Sequence, residues 1–150
     1  MGASCWVFYG DFQKDVASVL TEVQTRVFAQ GDYYWPFVGD DIFPEQPRPG
    51  SVDELWQDPT MQELGTHSIL DVDEVCDEYE IEPAPGSVCP LQAVDIADVF
   101  GTVRPTRADF ERCDELVWKY LTPDRWTAYY QVLYREDAPS EIVFWGCSGD

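Results

Sequence analysis

The chain has 150 residues and carries 29 aspartates and glutamates against nine lysines and arginines, a formal net charge of -20. That balance excludes phosphate-contact binding of DNA, RNA or an anionic membrane surface, and it favours basic partners. The apolar fraction of 45% and the aromatic fraction of 15% exclude a disordered acidic tail, and the length suits one domain with a real core.

No apolar run approaches the ~20 residues of a membrane span. The opening MGASCWVFYGDF has no basic n-region and no long apolar stretch, so no secretory signal is expected. Trp6 also breaks the myristoylation pattern. The expected location is the cytoplasm. In that compartment Cys5, Cys76, Cys89, Cys113 and Cys147 are expected to be reduced and mostly buried, with no obligatory disulfide. Cys5 and Cys147 are the exception to watch, because both fall on predicted strands near the termini. Neither a CxxC nor a zinc-like spacing occurs, and His67 is the single histidine, so no metal and no cofactor is expected.

Cys5–Tyr9 (CWVFY) reads as a first strand. Asp11 is a candidate N-cap, and Phe12, Val16, Val19, Leu20, Val23, Val27 and Phe28 make one apolar stripe of helical period ending at Gly31. Residues 32–50 form a loop rich in proline that also holds Tyr33, Tyr34, Trp35, Phe37 and Phe43. These aromatics either pack down on the body or form the lip of a pocket with His67. Ser51 and Glu54 make a capping box that opens a short helix, interrupted or restarted at Pro59. His67–Val72 (HSILDV) reads as a strand.

Residues 71–82 hold seven carboxylates: Asp71, Asp73, Glu74, Asp77, Glu78, Glu80 and Glu82. The spacing fails the calcium-loop pattern, having no glycine at the sixth position and Val75 at the fifth. The stretch is therefore read as a solvated acidic face or as a docking patch for a cationic partner. Pro83, Pro85, Gly86 and Pro90 follow as a second loop. Leu91–Phe100 is a short helix closed by Gly101. Thr106 and Asp109 open a last helix with the stripe Phe110, Cys113, Val117, Tyr120 and Leu121. Arg104 and Arg107 beside that helix start are a weak anion spot, in competition with plain carboxylate pairing.

The chain closes on WTAYYQVLYR, EDAPS and EIVFWGC. Two runs of period two, rich in β-branched and aromatic residues and separated by turn residues, predict a hairpin with a loop of about five residues. Large apolar groups on both faces place it centrally in a sheet. The resulting expectation is a single α+β domain: a four-stranded, largely antiparallel sheet with a C-terminal β-hairpin, packed by three to four helices.

No GxGxxG, GxxxxGK, GxSxG or HExxH is present, and no catalytic residue is assigned. His67 and Ser68 are adjacent on a predicted strand and would point to opposite faces, which rules them out as a dyad. Two functions remain. One is an acidic non-enzymatic protein, immunity- or inhibitor-like, that captures a basic protein partner through residues 71–82. The other is a small enzyme with an aromatic-lined pocket that uses carboxylates and His67.

The segments GTHSILDVDEV and FGTVRPTRADFE and the closing SEIVFWGCSGD resemble those of a group of small uncharacterised bacterial proteins. That group has similar "SILD", "FGT-x-x-PT" and terminal "G-x-S" segments. The resemblance implies a compact bacterial domain and carries no activity.

Overall fold

A computed structural model describes residues 4–39 and 41–149. Five strands, β1 (Cys5–Asp11), β2 (Glu74–Val75), β3 (Ser87–Pro90), β4 (Thr127–Arg135) and β5 (Ala138–Cys147), form one open sheet in the order β1-β5-β4-β3-β2. Six helices accompany them: α1 (Val16–Gln30), α2 (Val52–Leu55), α3 (Pro59–Leu64), α4 (Ala93–Phe100), α5 (Arg107–Arg112) and α6 (Asp114–Tyr120).

The α+β class and the C-terminal hairpin are as expected, and the hairpin is indeed central: β5 lies between β1 and β4, antiparallel to both. Its alternation serves two cores. Ile142 and Phe144 face a cluster built from α1, α2, α3 and the aromatic loop, while Val143 and Trp145 face one built from α4, α5 and α6. Trp6 and Phe8 on β1 join the first cluster, and Val7 and Tyr9 join the second. The sheet is thus covered on both faces, which is why its central strands lack a polar side.

The sheet itself departs from the expectation. It has five strands, not four, and it is mixed: β3 runs parallel to β4 and β2 parallel to β3. Both additional strands lie in stretches read as acidic loop and proline loop. They are two and four residues long, too short to show an alternation. Six helices replace the expected three to four, because α2 and α3 are separate turns and the last helix breaks at Cys113 into α5 and α6.

The predicted strand at His67–Val72 is instead a 3-10 turn at Ile69–Asp71. Its backbone groups are met by side chains rather than by a ladder. Ser68 Oγ accepts from Leu70 N at 3.2 Å, and the Gln24 amide donates to the carbonyls of Ile69 (3.1 Å) and Val72 (2.5 Å).

Helix α1 begins four residues later than its apolar stripe. Asp15, rather than Asp11, is the N-cap and accepts from Ser18 N at 2.7 Å, while Phe12 stays exposed. The helix crosses β1 at Gly10, where an added Cβ would lie 2.6 Å from both Val19 and Val23. Gly31 ends the helix in the left-handed conformation.

The hairpin loop is two residues rather than five. Arg135 pairs with Ala138, and the intervening Glu136 and Asp137 have φ of 51° and 62°. Positive φ at both central positions matches the right-handed twist of the flanking strands. The capping box at Thr106 and Asp109 is fully formed.

The expectation of reduced thiols is also corrected. Cys5 and Cys147 face each other across β1 and β5 and are joined in a disulfide, and Cys76 is joined to Cys89. Only Cys113 is free, and it is buried. An odd cysteine count allows two such bonds; Cys5–Cys147 is the pair singled out above as the exception to watch, whereas Cys76 and Cys89 sit outside any recognisable strand pattern. No helix among the described residues is long and apolar enough to cross a membrane.

Candidate functional site

The acidic stretch divides in two. Asp71 is buried, whereas Asp73, Glu74, Asp77, Glu78, Glu80 and Glu82 are exposed. None of the ion pairs among the described residues reaches these six; those pairs join Arg26, Arg107 and Arg112 to carboxylates elsewhere.

The exposed segment is anchored at its start. Asp73 N and Glu74 N both donate to Gly86 O, at 2.9 and 3.1 Å, and Cys76 N donates to Val88 O at 2.9 Å. The Cys76–Cys89 disulfide then closes the segment onto β3. Glu80 stands beside that bond, its carboxylate within 4.8 Å of both sulfurs. The acidic field continues over the sheet: Asp77 lies near Tyr130, and Asp124 and Asp95 lie near Tyr129. Burial first, and then these neighbours, with Tyr79 ahead of the two aspartates at Tyr129, raise both phenol pKa values.

Asp71 is the centre of a buried polar knot. One carboxylate oxygen accepts from Thr66 N and Thr66 Oγ1, both at 2.7 Å, and the other accepts from Ser148 Oγ at 2.8 Å. Thr66 Oγ1 also meets Ser68 Oγ at 2.7 Å. Burial outweighs these donors and holds the Asp71 pKa above its ordinary value. The knot fastens residues 66–71 to the C-terminal end of β5, so its first task is structural. Two non-glycine residues with positive φ flank it, His67 at 52° and Trp126 at 66°. Trp126 is held there by donating its N–H to Cys147 O and accepting from Gly86 N.

Beside the knot lies a cleft of about 450 Å³ lined by α1 (Gln24), α2 (Val52, Asp53 and Trp56), the Leu70–Asp73 stretch, Pro85, Gly86 and Trp126. It was not visible in the sequence, because it is assembled from five separated segments. The one available signal was the run of carboxylates that begins at Asp71.

The aromatic loop packs down. Tyr33, Trp35 and Phe37 are buried, and Tyr33 stacks on Phe28, with Arg48 over the Tyr33 ring at 4.6 Å. Tyr34 is half-buried and stacks on His67, with ring centroids 4.5 Å apart. The depression over this loop is wide and shallow, and Asp41 on it is exposed. Among the described residues it lacks the enclosed pocket with convergent acids that the enzyme reading asks for.

At the basic spot, Arg107 donates to Glu111 at 3.1 Å and to Glu141 at 2.9 Å and lies 3.8 Å over the Tyr9 ring. Arg104 lies 5.7 Å from the Tyr134 ring centre. Carboxylate pairing therefore takes up the Arg107 guanidinium. Comparison of the chain with protein-family models, curated proteins and solved structures finds no match.

Proposed function

We propose that this chain is an acidic binding protein, immunity- or inhibitor-like, whose partner is a basic protein. The observation that carries the reading is the acidic edge. Asp73, Glu74, Asp77, Glu78, Glu80 and Glu82 are exposed, no described ion pair reaches them, and the segment is anchored at 73–76 by β2–β3 pairing and a disulfide. Uncompensated like charges fixed on one edge repel one another, and a cationic surface relieves that repulsion. The anchoring at 73–76 also reduces the entropy that the association must spend on ordering the segment.

The test is capture of partner from the source organism at low and high salt. It compares the native chain with a variant in which Asp73, Glu74, Asp77 and Glu78 are changed to Asn or Gln. A basic partner, captured at low salt, released at high salt and lost with the variant, supports the proposal. Capture that ignores both salt and the substitutions overturns it.

A second reading, a small enzyme, rests on Asp71, a buried carboxylate of raised pKa in the wall of a cleft. It is the weaker of the two, since three donors already engage the Asp71 oxygens and His67 is stacked on Tyr34.

A further inference from the structure

We infer that the cleft between Trp56 and Trp126 is a guanidinium site, built to take one arginine side chain of the partner. This deepens the acidic-binder reading by naming the group that the partner inserts, and it rests on that reading only for the source of the arginine.

The cleft's chemistry suits a planar, weakly hydrated cation. Its two largest lining side chains are indoles, each half-buried, and its rim carries the exposed carboxylates Asp53 and Asp73. Indoles attract cations through their π systems, and guanidinium stacks on them while donating in-plane to carboxylates, which ammonium cannot do with the same geometry. No lysine or arginine is among the described residues that line the cleft, so none of these neutralises the rim charge from within.

Its walls are fixed before any ligand arrives. Trp126 is locked in the left-handed region by hydrogen bonds to Cys147 and Gly86. An added Cβ at Gly65 would lie 3.0 Å from the Trp126 ring and 3.2 Å from Asp71, so Gly65 packs closely against both the ring and the knot. Asp73 is seated against Gly86, where an added Cβ would be 2.9 Å from its carboxylate. The Gln24 amide is turned away to the carbonyls of Ile69 and Val72, and so it does not compete as a donor for the rim. A volume of about 450 Å³ holds an arginine side chain together with water.

The site adjoins the acidic edge through Asp73, which belongs to both. A basic surface steered to residues 73–82 therefore arrives with its cations at the cleft mouth.

The test needs no partner. N-acetyl-arginine amide is titrated into the full chain while the indole N–H signals of Trp56 and Trp126 are followed by two-dimensional NMR. N-acetyl-citrulline amide serves as the neutral isostere and N-acetyl-lysine amide as the other cation. The expected result is saturable movement of both indole signals, with citrulline at least about tenfold weaker and lysine several-fold weaker. Trp56→Ala and Asp73→Asn should each weaken arginine binding several-fold with unchanged melting temperatures; two variants guard against one failing to fold. Equal responses to arginine and citrulline, equal responses to arginine and lysine, or shifts confined to amides 77–82 overturn the site. Salt-dependent partner capture with a flat arginine titration refutes the cleft alone. A specific arginine titration without any basic partner refutes the capture reading and leaves the cleft standing.

Discussion

The two halves of the sheet are specified by different means. On one side, β1, β5 and β4 pair over long antiparallel registers, seven residue pairs between β1 and β5 and nine between β4 and β5. Their side chains are buried on both faces, so pattern and packing fix the register. On the other side, β3 and β2 add only three and two residue pairs. What fixes them is backbone hydrogen bonding from 73, 74 and 76 and one covalent bond. The difference teaches where charge can be concentrated. A half held by apolar burial tolerates few carboxylates, whereas a half held by backbone bonds and a disulfide can present six of them to water.

The largest test of this contrast strikes the packed half. Val23 is fully buried where α1 meets Gly10. Val23→Asp should cost more than about 4 kcal/mol, enough to abolish cooperative unfolding, because an unpaired charge would enter the core. Thermal melting followed by near-ultraviolet circular dichroism checks it, and an unchanged transition would refute the packing of α1.

The disulfides come next and separate the halves directly. Mass mapping without reductant should find Cys5–Cys147 and Cys76–Cys89 with Cys113 as the free thiol. Loop-closure entropy makes loss of the long-range bond by Cys5→Ser the costlier change, about 4–5 kcal/mol against about 3 kcal/mol for Cys76→Ser. Denaturant titration of the two variants orders them. The second variant should also lose hydrogen-exchange protection locally, at 74–88, while the central strands keep theirs.

A smaller effect is expected at the knot that joins the halves. Asp71→Ala leaves the buried Thr66 and Ser148 donors without their acceptor and should cost about 1–3 kcal/mol. Asp71→Asn should cost less, since an amide oxygen can still accept from Thr66. The folded pKa of Asp71 lies above the ordinary value of 3.8, so the folded state holds this proton more tightly than the unfolded chain. Its contribution is therefore fully present below that value and is lost as pH rises through the raised folded pKa. Stability measured against pH should show this loss in the native chain and lack it in Asp71→Asn.

The smallest effect on folding belongs to the acidic edge. Changing Asp73, Glu74, Asp77 and Glu78 to Asn or Gln should leave stability within about 0.5 kcal/mol or raise it slightly, because surface substitutions remove only repulsion. A collapse of the fold would mean that these carboxylates serve the structure, and the electrostatic proposal would go with it.

The same contrast decides what could be read from the chain. The central hairpin, α1, the Ser51 N-cap and the capping box at Thr106 were legible because each is written in contiguous residues with a period or a cap. The edge strands were not. Their few residues sit among prolines and acids, and a parallel pairing borrows its register from β4, some forty residues away. The knot was hidden for a similar reason: Ser148 reaches Asp71 across a separation of 77 residues, and HSILDV has the composition of a strand. The cleft was the least legible feature, since Trp56 and Trp126 had no reason in sequence to be considered together.

The bond between Cys5 and Cys147 also changes how the molecule answers to pulling. Tension applied at those two positions runs through the sulfur bridge and bypasses the fold, so the 142 residues of sequence separation add nothing to the extension. At about 3.3–3.6 Å per residue, some 470–510 Å of contour stays hidden until a reductant opens the bridge. A machine that threads chains from one end would meet a closed ring and would have to pass two strands at once. Mechanical lifetime in this protein is thus set by thiol chemistry before it is set by packing.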